Sequence, residues 1–101
     1  MSKSSNYLIK NASLVNDGEI KECDLLIKNG HIERIDSSIN QDQTLTNIIE
    51  AKGSYVLPGV IDSQVHFREP GLTHKGEIKT ESMAAIAGGV TSYIEQPNTI
   101  P

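Results

Sequence analysis

From Val60 to Asn98 the chain reads strand, loop, helix, strand, and few folds accept that order. Val60–Phe67 is a strand candidate, and Glu69–Gly76, with Pro70, Gly71 and Gly76, is a loop. Glu77–Gly89 reads as a helix, because Ile78, Ser82, Ala85, Ile86 and Gly89 recur at spacings of three and four. Glu77 suits the positive end of its dipole, and Gly88-Gly89 ends it. Val90–Asn98 is β-branched and aromatic at its start, hence a second strand. Short connections make this a βαβ unit, with a parallel strand pair and a right-handed crossover. A parallel sheet is covered on both faces, which one helix cannot do. A (β/α)8 barrel needs roughly 250 residues, whereas this chain has 101. The expected fold class is therefore α/β, the N-terminal piece of a longer protein and incomplete as given. The alternative is a complete small α+β domain that leaves an apolar sheet face exposed.

The first 57 residues speak a different grammar. Tyr7–Asn16 is apolar at both ends and is followed by Asp17-Gly18, a dipeptide suited to a turn with positive φ. Asp24–Ile35 places two apolar runs around Asn29-Gly30, a hairpin signal, with Leu25, Ile27, Ile32 and Ile35 expected on the packed faces. Ser37–Asn47 is polar and reads as a loop. Two extended runs, Asn47–Ala51 and Tyr55–Leu57, are broken by Lys52-Gly53, and Pro58-Gly59 punctuates before the next element. Two domains are expected: residues 1–57 as short strands joined by tight turns, and 58–101 as the βαβ unit.

Composition narrows the function. The net charge of −4 gives no basic patch for nucleic acid. No apolar run approaches a membrane span, and the N-terminus lacks the apolar core of a signal peptide. The single cysteine, Cys23, can neither close an internal disulfide nor build a zinc cluster alone. The expected location is the cytoplasm.

In Ile61–Gly71, IDSQVHFREPG, the polar residues Asp62, Gln64, His66 and Arg68 stand two apart. On a strand they share one face, and a hydrophobic core does not accept such a row. Ligands of parallel α/β folds gather at the carboxyl ends of strands. His66 and Arg68 fall at that end of the first strand and Asn98 just past the second. His66 is a candidate metal ligand, set against a histidine that only bonds a neighbour. Arg68 can grip a carboxylate with two parallel hydrogen bonds, set against a surface ion pair with Glu69 or Asp62. Asn98 offers a donor and an acceptor, set against turn chemistry after Pro97. Asp62 is either support that orients a ligand or a structural acceptor of backbone hydrogens. His31 and His74 read as surface residues, and Cys23 as an apolar filler.

LPGVIDSQVHFREPGLTHKGEI and AAIAGGVTSYIEQPNT resemble the amidohydrolase superfamily, and within it the dihydroorotases. The superfamily pattern is an aliphatic-Pro-Gly-x-Ile-Asp run ending in His-x-His on the first barrel strand. FREPG and PNT look more like dihydroorotase than like allantoinase or dihydropyrimidinase. The resemblance implies a metal-dependent TIM barrel preceded by the N-terminal part of a small β-sandwich, here residues 1–57. It implies interconversion of dihydroorotate and N-carbamoyl-L-aspartate in pyrimidine synthesis, by one or two zinc ions that polarise the ring carbonyl and activate water. His66 inherits a metal-ligand role, and Arg68 and Asn98 inherit contacts to a substrate carboxylate. The remaining ligands and the catalytic aspartate come from later strands in the family, so this piece alone is expected to be inactive.

Gln64 departs from the pattern, standing where the family's first histidine belongs. An amide oxygen is a weaker zinc donor than imidazole. Three readings follow: one metal held by later strands, Gln64 as a weak ligand or hydrogen-bond donor, or a catalytically silent homologue that binds a partner such as a transcarbamoylase. A related hydrolase of hydantoin or allantoin is a further alternative. The expected partner is a small molecule with a carboxylate, with no nucleic acid and no membrane; a homo-oligomeric parent stays open.

Overall fold

The computed structural model describes residues 5–100 and divides the chain into two compact units, Met1–Pro58 and Gly59–Pro101. The first unit is one five-stranded sheet. β1 (Asn6–Asn16), β2 (Glu19–Lys28) and β3 (His31–Asp36) form an antiparallel meander. Asp17-Gly18 and Asn29-Gly30 make its turns, and all four residues lie at positive φ, as the tight primed turns require. β4 (Asn47–Glu50) and β5 (Tyr55–Val56) then run parallel to β1 on its free side, β4 along its first half and β5 along its second. Tight turns thus account for only part of this unit, because β3 and β4 are joined by the long loop that a parallel return requires.

β1 is bent where it changes partners. Its register with β2 shifts between Ile9 and Ala12, and Asn11 lies at φ 55. The bend turns the Asn11 N–H out of the ladder and onto the Asp24 carboxylate at 2.9 Å. The same carboxylate accepts the Ile39 N–H at 2.9 Å and the Lys10 ammonium at 3.2 Å, with Asp24 itself only 2% exposed. Burial acts to raise the Asp24 pKa, but the Asn11 and Ile39 amides and Lys10 outweigh it and hold the carboxyl below its ordinary range. The buried apolar groups form two small clusters, Leu8, Leu26 and Ile39 in one and Ala12, Cys23 and Leu25 in the other. Ile39, a residue of the polar loop, is buried as deeply as Leu8 of β1. Ile32 and Ile35, expected on the packed face, are exposed. They line an apolar hollow with Leu14, Leu25, Val56 and Pro58 and have nothing laid over them in this unit. Burial raises the Cys23 thiol pKa, and the neighbouring Asp24 adds to this; both disfavour the thiolate.

The second unit is β6 (Val60–Val65), α1 (Ile78–Ala87) and β7 (Val90–Glu95), with β6 and β7 parallel. Each element is shorter than its sequence pattern. β6 stops at Val65 rather than Phe67, and its pairing is irregular between Asp62 and Val65. β7 stops at Glu95 rather than Asn98, since Pro97 has no N–H for the ladder. α1 is capped by Glu77 and Gly88, so the flanking residues belong to its ends. The Glu77 N–H donates to Thr80 Oγ1 at 3.3 Å, and the first helical amide, Ile78 N–H, is taken by the distant Glu69 carboxylate at 2.8 Å. Gly59 has a plain packing reason, since a Cβ there would overlap the Thr91 side chain.

Among the described residues, Phe67 is the one buried hydrophobic of this unit. Ile61 is 70% exposed and Ile86 67%, so the stripe on α1 and the faces of β6 and β7 are bare. The 101 residues expressed alone are expected to melt without a sharp cooperative transition, to bind a hydrophobic dye and to aggregate. A steep, reversible calorimetric transition of the isolated chain would contradict this. No helix among the described residues is long and apolar enough to cross a membrane.

Candidate functional site

Strand alternation does not organise the polar row after Gln64. The Asp62 carboxylate folds back onto the Gln64 N–H at 3.0 Å, within the irregular part of β6. Asp62 therefore acts at least as an acceptor of a backbone hydrogen, one of the two roles expected for it. The Gln64 amide group makes no hydrogen bond among the described residues.

His66 follows directly on the strand. Its Nδ1 lies 2.7 Å from the carbonyl oxygen of Gln96, thirty positions away. A carbonyl only accepts, so Nδ1 carries the hydrogen, and in the neutral ring the lone pair sits on Nε2. A histidine that ligates metal characteristically fixes its other nitrogen in this way. The bond also sets the turn after β6 against the segment that contains Asn98. A second link, from the Ile100 N–H to the Pro70 carbonyl at 3.2 Å, runs between the same two segments. Gly71, at φ 91, is needed at this crossing because a Cβ would meet the Ile100 carbonyl.

Arg68 sits at φ 71, a left-handed conformation that costs a non-glycine residue about 1 kcal/mol or more. Its guanidinium has no ion pair and no hydrogen bond among the described residues. The two carboxylates that could have paired with it are engaged elsewhere, Asp62 on Gln64 and Glu69 on Ile78. The surface ion pair weighed for Arg68 is therefore not formed. Asn98 likewise makes no side-chain hydrogen bond among the described residues, so it does not build the turn after Pro97. His31 and His74 are exposed.

Two residues that pattern reading passed over hold this turn. Phe67 packs edge-on against Tyr93, ring centres 4.5 Å apart, and donates its N–H to the Glu95 carboxylate. Glu95 carries no periodic or motif signal; only the paired strands show what its carboxylate meets. No group of three or more His, Cys, Asp and Glu side chains that could hold a metal is found among the described residues. The tied imidazole of His66 fits a metal ligand.

Comparison with known proteins places the architecture and sequence in one class. The chain superposes on L-hydantoinase (dihydropyrimidinase) from Arthrobacter aurescens with a TM-score of 0.85 and 33% identity, covering 96% of this chain and 22% of that one. It superposes on a D-hydantoinase with a TM-score of 0.77, also at 33% identity, over 89% of this chain and 20% of that one. The mostly-strand architecture with one helix is thus similar to that of a part of the hydantoinases, and the chain is amidohydrolase-like. Within that class its sequence is dihydroorotase-like. It is 45% identical to the dihydroorotase of Carboxydothermus hydrogenoformans over 96 residues and 41% identical to that of Bacillus cereus over 97 residues. These alignments take in 93% and 95% of this chain, which spans 22% of the length of either relative. No protein-family profile matches the chain.

Proposed function

We propose that this chain is the opening part of a metal-dependent dihydroorotase, which interconverts dihydroorotate and N-carbamoyl-L-aspartate in pyrimidine synthesis. In this reading Met1–Pro58 is the N-terminal part of a β-sandwich, and β6, α1 and β7 begin a TIM barrel. The observation that carries it is Arg68, a strained arginine whose guanidinium has no partner among the described residues, two positions from a histidine whose Nδ1 is already tied. Strain of that kind persists where function needs the side chain placed. The names of the relatives at 40–45% identity support dihydroorotase. The hydantoinase likeness is met by chemistry: hydantoin has no carboxylate, whereas dihydroorotate has one that a bidentate arginine recognises.

The roles divide accordingly. Arg68 and Asn98 hold the substrate carboxylate and so orient the ring. His66 offers Nε2 as one ligand of a zinc ion, with Gln64 as a weak neighbour and Asp62 as support beneath it. Bound zinc supplies the Lewis acidity for attack of water on the ring amide. Further ligands and the proton-transfer group belong to other parts of the full-length protein.

A substrate panel with the full-length protein tests this. Dihydroorotate and N-carbamoyl-aspartate are expected to turn over, zinc to co-purify, and hydantoin and allantoin to react at least ~100-fold more slowly, since their rings cannot satisfy the arginine. Equal turnover of hydantoin would reassign the substrate. Absence of both zinc and turnover would favour a silent homologue that binds a partner.

A further inference from the structure

The ladder between β6 and β7 is interrupted in a specific way at its end. In a parallel ladder the bonds alternate regularly along the neighbouring strand. The Gln96 N–H donates to the Val65 carbonyl at 2.8 Å. The next regular rung would therefore run from the Phe67 N–H to the Gln96 carbonyl. Two other bonds replace it. The Gln96 carbonyl receives the His66 ring at 2.7 Å, and the Phe67 N–H goes to Glu95, at 3.1 and 3.3 Å from its two carboxylate oxygens.

The exchange has a physical reason. Phe67 is 6% exposed, so its amide needs a protein acceptor. Without Glu95, the regular rung would take the Phe67 amide to the Gln96 carbonyl, whose oxygen the imidazole would then have to share, with its bond bent away from its present direction. The Glu69 carboxylate is held elsewhere, accepting the Ile78 amide at the start of α1. Tyr93 and Glu95, two apart on β7, thus hold Phe67 by its ring and by its amide.

We propose that Glu95 is a positioning residue for His66: by taking the Phe67 amide it leaves the Gln96 carbonyl to the imidazole, which keeps the Nδ1–H tautomer with Nε2 free. The same anchor fixes the backbone just before Arg68. The consequence for metal binding rests on the ligand role proposed for His66, whereas the bond exchange itself rests on geometry alone.

The test uses the full-length protein as wild type, Glu95→Ala, Glu95→Met, Glu95→Gln and His66→Ala. Two readouts are taken: zinc affinity by chelator competition, and the His66 ring tautomer by 15N NMR on metal-free protein. Loss of a group that orients a metal ligand costs roughly 10- to 100-fold in affinity, and the alanine and methionine variants are expected near the lower figure. Their ring signal should shift towards a mixture of tautomers. Glutamine keeps an oxygen for the Phe67 amide and should stay within about threefold of wild type, with the Nδ1–H form retained. Methionine, of similar length and without an oxygen acceptor, carries the test if the alanine variant does not fold. An unchanged tautomer in Glu95→Met overturns the proposal, as does a glutamine variant as impaired as methionine. If the tautomer shifts in Glu95→Met while His66→Ala leaves zinc affinity unchanged, the positioning role stands and the ligand role of His66 falls.

Discussion

Replacing Arg68 with alanine in the full-length protein is expected to raise KM for dihydroorotate about 10- to 100-fold, the weight of a charge-assisted hydrogen-bonded contact of about 1.5–3 kcal/mol. The carboxylate is remote from the amide that breaks, so the loss should fall on KM more than on kcat. Arg68→Lys should recover only part of it, because an ammonium cannot reproduce the two parallel bonds of a guanidinium. Arg68 is held at φ 71 between a residue anchored by its amide, Phe67, and one anchored by its carboxylate, Glu69. A backbone fixed on both sides need not be ordered when the substrate binds, which lowers the entropic cost of binding. Steady-state kinetics with unchanged KM would remove Arg68 from the substrate site.

The largest stability effect is expected at Asp24. Asp24→Ala strands the Asn11 and Ile39 amides and the Lys10 ammonium around a site where the acid was 2% exposed. Stranding buried donors and half of an ion pair costs about 3 kcal/mol, read as a lowered urea midpoint of the full-length protein. Lys10→Met is expected to cost about 1 kcal/mol or less, because the two backbone donors still satisfy the acid and the lysine is partly solvated. Equal losses in the two variants would mean that the ion pair, not the amide acceptor, holds the bend of β1. The pH dependence has a definite sign. The folded carboxyl titrates below its unfolded value, so its stabilisation is complete above about pH 4 and is lost as pH falls through the folded value. Asp36, Asp42 and Glu50 are lowered too, by Arg34, Thr44 and Asn11 respectively, but they are exposed and solvent screens their share. Asp24→Asn should therefore flatten the acid limb of the stability curve where substitutions at those three do not.

What was legible in advance was what local chemistry dictates. Asp17-Gly18, Asn29-Gly30 and Lys52-Gly53 all turn with positive φ because little else permits it, and the helical spacing of Ile78, Ser82, Ala85 and Ile86 located α1 to within two residues. The likeness to dihydroorotases was readable because its motifs are contiguous. Misreadings arose where an outcome depends on a distant partner. Ile32 and Ile35 carry the pattern of packed residues, but burial needs something to pack against. Ile39 lies in the loop, as expected, but is buried there, its N–H held by the Asp24 carboxylate. The strand ends at Val65 and Glu95 were overrun, since hydropathy continues past the point where ladder bonds are diverted.

The sequence by itself determined the turns, the change of grammar near Pro58 and the side chains at His66, Arg68 and Asn98 on which the proposed chemistry rests, all of which follow from side-chain type and short-range spacing. The tertiary structure decided which acceptors those residues and their neighbours meet. The Gln96 carbonyl for His66 and the Glu95 carboxylate for Phe67 lie across a strand pairing some thirty residues long in sequence. The absence of a described partner for Arg68 follows from what Asp62 and Glu69 bind instead. Hydrogen-bond competition between segments distant in the chain leaves no trace in local pattern, because each donor's partner is chosen only when the strands are side by side.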